Sequence, residues 1–249
     1  MSTYKLGLVS VSFRKNSPEE ILFAMREAGL SYIEWGSDIH APATEPERLR
    51  ALAAKQKESG ITCSSYGTYF KFGQAPVSEL ERYIDGALIL GTDMLRLWAG
   101  TKPPDAMTEE ERDALLRDCA EAARIAERRG VTLALECHRN TYTQEKETAL
   151  ALMKAVDSER FRMYWQPAQW RTVEENVDFA RALSPYTERL HVFHWQADQR
   201  LPLASGVAVW KTYLKEFSSD AYLLLEFMPD NEIATLPREV DALRRIAAP

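Results

Sequence analysis

Eight short apolar runs alternate with eight longer amphipathic segments along this chain, and no other feature narrows its fold as far. The runs are Lys5 to Ser12, Tyr32 to Trp35, Ile61 to Tyr66, Met94 to Trp98, Val131 to Glu136, Arg162 to Trp165, Leu190 to Phe193 and Tyr222 to Phe227. Their length and apolar content suit strands buried on both faces. The intervening segments carry helix punctuation. Ser17 precedes Pro18 at one start, Ser78 and Thr108 each stand three residues before a Glu, and Gly29, Gly60, Gly91 and Gly130 close four segments. Strands joined by helical crossovers must be parallel. An open doubly wound sheet is the competing solution. Eight units in 249 residues, with no Gly-rich dinucleotide turn after the first strand, favour a single-domain (β/α)8 barrel over residues 1–249.

Composition bears on partners rather than on fold. Lys and Arg total 31 against 37 Asp and Glu, a net charge of −6, which argues against nucleic acid as a partner. No apolar run approaches the roughly 18 residues of a membrane span, and STYKLGLVSVSF reads as a strand rather than a signal peptide. A cytoplasmic protein is expected, with a small molecule as its partner; a homo-oligomer is compatible with the sequence. Cys63, Cys119 and Cys137 are odd in number and lack CxxC spacing, so they read as reduced and buried. Cys137 beside His138 is a poor nucleophile candidate, because neighbours on a strand point to opposite faces.

In a barrel of this kind the chemistry sits where the strands end. All four histidines fall there: His40 after the second strand, His138 after the fifth, His191 in the seventh and His194 just beyond it. Glu136 ends the fifth run and Glu226 the eighth, each behind apolar residues, where a carboxylate needs a partner. Gln166 takes the equivalent place on the sixth strand. Glu136, Gln166, His191 and Glu226 thus offer two carboxylates, an imidazole and an amide oxygen to one divalent cation, Mn2+, Mg2+ or Co2+. Glu34 and His40 read as loop or solvated groups. Arg96, within MLRLW, needs a counter-ion, which Glu34 or Glu136 can supply. Trp35, Tyr66, Trp98, Trp165 and Trp195 gather near strand ends, as core residues or as a sugar-stacking wall.

These motifs, LALECHRNT, YWQPAQ, LHVFHW and LLLEF, resemble those of the xylose isomerase-like TIM-barrel family of sugar-phosphate isomerases and epimerases. The resemblance follows the strand order of the whole chain. It implies a divalent metal held by Glu136, His191, Glu226 and the residue at position 166, with Glu136 and Glu226 moving a proton. At the sixth strand the chain departs from the pattern: Gln166 and Gln169 stand where the family usually has Asp and His. An amide is a weaker ligand than a carboxylate, so metal affinity should fall. The family's Arg after the strand-seven His has Arg200 as its nearest counterpart.

The expected function is isomerisation or epimerisation of a sugar or sugar phosphate by proton transfer next to a carbonyl. His138, Arg96, Trp98, Tyr66, Gln169 and His194 are the expected substrate contacts. Dehydratase or lyase chemistry through the same enolate is the nearest alternative, and a non-catalytic sugar-binding barrel that has lost its metal is the other.

Overall fold

The computed structural model describes residues 4–248 and closes eight parallel strands into a barrel. In chain order the elements are β1 (Lys5–Val9), α1 (Pro18–Ala28), β2 (Tyr32–Gly36), α2 (Pro46–Glu58), β3 (Thr62–Lys71), α3 (Leu80–Leu90), β4 (Met94–Trp98), α4 (Glu109–Arg129) and β5 (Thr132–Glu136). There follow α5 (Lys146–Val156), β6 (Phe161–Trp165), α6 (Val173–Leu183), β7 (Thr187–Val192), β8 (His194–Gln196), β9 (Gln199–Leu201), α7 (Val207–Tyr213), β10 (Tyr222–Leu225) and α8 (Leu236–Ala247). Strand β1 pairs with β2 on one side and with β10 on the other, which completes the ring. The short β8 and β9 stand apart as an antiparallel hairpin, pairing Trp195 with Arg200.

Local chemistry explains three of the helix starts. The Ser17 hydroxyl accepts from the Glu20 amide while the Glu20 carboxylate accepts from the Ser17 amide, and Thr108 with Glu111 and Thr172 with Glu175 repeat the arrangement. Gly29, Gly91 and Gly130 end α1, α3 and α4 in the left-handed conformation that a side chain disfavours. The capping box expected at Ser78 and Glu81 does not form. A 3-10 turn over Val77–Glu79 leads into α3, and the Glu79 amide is satisfied by the Pro76 carbonyl. The helix expected from Ser205 to Phe217 is shorter, because 3-10 turns flank α7 on both sides.

Side-chain alternation sorts the strands into two layers. Leu8, Ile33, Trp35, Tyr66, Leu95, Leu133, Leu135, Trp165, Leu190 and Leu223 point outward and pack under the helices in the main core. The inward set is smaller and mixed. Val9, Met94, Ala134, Tyr164 and Leu224 make a compact apolar cluster inside the ring. On the side where the strands begin, the Arg189 guanidinium lies 4.4 Å from the Tyr222 ring centre, and Tyr222 meets Tyr32 edge-on at 5.1 Å. The barrel is therefore filled at one end and polar at the other.

Candidate active site

Beside and above the apolar cluster, most strands of the ring bring an inward group able to donate, accept or hold charge. Glu34 comes from β2, Ser65 from β3, Arg96 from β4, Glu136 from β5, Tyr164 from β6 and His191 from β7, while Glu226 follows β10 directly. All of these are buried. Gly67 adds no side chain on β3, and that gap is required: a Cβ there would lie 2.5 Å from Glu34 Oε1 and 2.9 Å from Arg96 Nη2.

Arg96 bridges two carboxylates. Its Nε donates to Glu34 Oε1 at 2.8 Å and its Nη1 to Glu136 Oε2 at 2.6 Å, and Trp98 Nε1 donates to the same Glu136 oxygen at 2.6 Å. The His191 ring lies between carboxylates: Nε2 is 3.3 Å from Glu34 Oε2, and Nδ1 is 3.4 Å from Glu226 Oε2 and 3.6 Å from Glu136 Oε1. Gln166 Oε1 also faces Nδ1, at 3.3 Å. Ser65 links Glu34 to the Tyr164 hydroxyl, through contacts of 3.1 Å on each side.

Electrostatics divides the carboxylates. Burial would raise all of them, but beside Arg96 and His191 the Glu34 carboxyl is lowered to about 2. Glu136 is likewise held well below the usual carboxylate range, Arg96 overcoming its burial. Glu226 goes the other way. Its burial, aided by the negative charge of Glu136, outweighs the attraction of His191 and raises its pKa. Burial by itself would lower His191, yet Glu226 and Glu34 raise it to about 10. At neutral pH the favoured arrangement is an ionised Glu136 and a protonated His191, with Glu226 the carboxyl most easily kept neutral.

Above this centre opens a cavity of about 220 Å3 lined by Glu136, Gln166, Glu226, Arg96, Trp98, His138, Gln169 and Trp195, with Arg14 and Arg139 at its edge. A larger cavity, about 280 Å3, lies beside α4 against Phe72, Gly100 and Leu115 and includes none of these acidic groups.

Most of the residues singled out in the sequence therefore meet here, but not all. Tyr66 points outward, against Gly86 of α3, and donates its hydroxyl to the Ala41 carbonyl, so it packs the barrel wall instead of lining the pocket. Replacing Tyr66 by Phe should leave that buried carbonyl short of a donor and cost roughly 1–2 kcal/mol, a fall in Tm of about 2–6 °C in thermal unfolding. His194 lies behind the pocket wall, in a neighbouring depression with Trp210 and Tyr213. Arg200 spreads over the Trp195 and Phe227 rings and donates to Asn231. His40 is buried, held by Ser10 and the Asn16 carbonyl, and Trp35 and Trp165 belong to the outer core.

Glu34 corrects the sequence reading most. It is fully buried at the heart of the site rather than solvated. Its signal was present: Ile33 and Trp35 are apolar, so alternation turns Glu34 toward the barrel interior, where Arg96 also points. Ser65 and Tyr164 follow from the same parity.

Fold and site together define an α/β-barrel with a buried acidic centre at the carboxyl ends of its strands, the place where barrels of this type carry out chemistry. The chain belongs to the family described as xylose isomerase-like TIM barrel, whose model matches residues 22–246. Among solved structures, the probable 3-DHS dehydratase AsbF involved in petrobactin synthesis from Bacillus anthracis is similar at 19% identity and TM-score 0.78, covering 96% of this chain and 98% of that one. A xylose isomerase-like TIM-barrel protein from Mycobacterium smegmatis in complex with magnesium is similar at 15% identity and TM-score 0.71, covering 99% and 98%. D-allulose 3-epimerase from Methylomonas sp. is similar at 13% identity and TM-score 0.72, covering 100% and 99%. No curated protein matches the chain. No helix among the described residues is long and apolar enough to cross a membrane.

The residues of this centre do not fit a divalent metal. Of the four expected donors, Gln166 is neutral, both ring nitrogens of His191 face oxygen atoms, and Glu136 already receives Arg96 and Trp98 on one oxygen. Glu136, Gln166, His191 and Glu226 meet in one network of side-chain contacts.

Proposed function

We propose that the chain is an isomerase or epimerase of a small sugar or sugar phosphate, acting by proton transfer at the carbon next to a carbonyl. The observation that carries this reading is the pair Glu136 and Glu226. Two buried carboxyl groups face one imidazole from different strands, and their surroundings drive their pKa values apart. Such a pair supplies a base and an acid at the same pH.

Glu136 Oε1 carries neither the Arg96 nor the Trp98 hydrogen bond, and it takes the proton from the substrate carbon. The C–H electrons move onto the carbonyl oxygen, giving an enediolate. The Arg96 guanidinium, which lines the cavity, stabilises that negative charge. Glu226 gives its proton to the opposite face of the same carbon in an epimerisation, or to the neighbouring carbon in an isomerisation, in which the proton of the adjacent hydroxyl also passes to the former carbonyl oxygen. Trp98, His138, Gln169 and Trp195 offer ring faces and polar groups to the sugar hydroxyls.

The test is solvent exchange. Incubated in deuterium oxide with a panel of ketoses, aldoses and their phosphates, the wild-type protein should place deuterium at carbon in at least one of them, read by NMR. No uptake from any member would refute proton transfer and leave a barrel that binds sugar without turning it over. Loss of water from the labelled substrate, in place of a stereoisomer, would assign the same enolate to a dehydratase.

A further inference from the structure

We infer that this centre works without a divalent ion, the Arg96 guanidinium supplying the positive charge and Gln166 withholding the carboxylate an ion would need. The inference rests on the proton-transfer reading for its chemistry, but its evidence is separate.

Charge balance carries the first part. Glu34, Glu136 and Glu226 are the acidic groups of the centre: Arg96 pairs with Glu34 at 2.8 Å and with Glu136 at 2.6 Å, and the His191 ring lies 3.4 Å from Glu226. A divalent ion entering here would meet a Glu136 already paired with Arg96, a guanidinium that never loses its charge. That same guanidinium is fixed from its other side by Glu34, and the missing side chain at Gly67 makes the room for that contact. Arg96 cannot swing away from Glu136 without abandoning a second buried carboxylate.

Donor geometry carries the second part. His191 Nε2 is turned to Glu34, deep in the barrel, and Nδ1 serves Gln166, Glu226 and Glu136 together, so the ring uses both nitrogens on oxygen atoms. An imidazole that binds metal must present a bare nitrogen. Gln166 presents an amide oxygen to that ring, and an amide adds no negative charge to offset an ion's two positive ones.

The experiment measures metal directly. Wild-type protein purified without chelator from cells grown with added Mn2+ should carry far less than one equivalent of any divalent metal by mass spectrometry. Addition of Mn2+ to ~1 mM should leave its Tm unmoved, whereas a site with a Kd near ~10 µM would raise Tm by about 5–10 °C. The Gln166→Asp chain should gain such a Mn2+-dependent rise, and its failure to do so would overturn the role given to Gln166. Deuterium uptake by the wild type should be the same in EDTA as in Mn2+. A stoichiometric metal in the purified protein, a Mn2+-dependent rise in wild-type Tm, or exchange that EDTA abolishes and Mn2+ restores would each overturn the inference. Absence of exchange under every condition would instead refute the proton-transfer reading, and the metal measurements would still stand.

Discussion

Replacing Glu226 by Gln is expected to lower kcat by roughly 10²–10⁴-fold while the protein keeps its fold. The amide matches the carboxyl in size, so the pocket should keep its shape, but it can neither hold nor release the transferred proton. It also removes a group whose raised pKa sets how the rate responds to pH. Glu226 must be protonated to act as the acid, so the wild-type rate should fall as pH rises through its raised pKa, and that basic limb should be missing from the residual activity of the variant. Steady-state kinetics across pH, with circular dichroism as the check on folding, reads both effects. Near-normal turnover in Glu226→Gln would remove this residue from the mechanism.

The largest stability effect is expected at Arg96. Its side chain is 3% exposed and neutralises two carboxylates that are themselves buried. Arg96→Met would leave Glu34 and Glu136 in the barrel without their shared counter-ion, and removing one partner of a buried pair costs about 3–5 kcal/mol. Thermal unfolding should register this as a fall in Tm on the order of 10 °C. Lys at the same position should recover only part of the loss, since one ammonium cannot reproduce the two divergent donors that reach separate carboxylates. Combining Arg96→Met with Glu34→Gln should restore part of the stability by removing one stranded charge. A loss below about 1 kcal/mol in Arg96→Met would show that the two carboxylates do not depend on it.

The barrel was legible in the sequence because its signal is periodic. Apolar runs of strand length, separated by capped amphipathic segments, leave few other ways to bury so much apolar surface. Glu136, His191 and Glu226 were legible for a related reason, as polar groups that break apolar strands at their carboxyl ends. Glu34 was harder to place, since β2 is short and runs straight into Gly36-Ser37-Asp38, which made the carboxylate look like the edge of a loop. Parity settles it, and also settles the aromatics: Trp35, Tyr66 and Trp165 each lie next in sequence to an inward residue and so point outward into the core. The hairpin of β8 and β9 left almost no trace, because two polar three-residue strands pairing only with each other carry no periodic signal.

Glu136 receives Arg96 and Trp98 on the same oxygen, and this has a stereochemical outcome. A carboxylate with two equivalent oxygens can rotate and exchange them. Here rotation would break two short hydrogen bonds in the barrel interior, so Oε1 and Oε2 keep their identities through the reaction. In the proposed proton transfer, the proton would leave the substrate along one fixed direction, and the side from which Glu226 returns it would decide the handedness of the product.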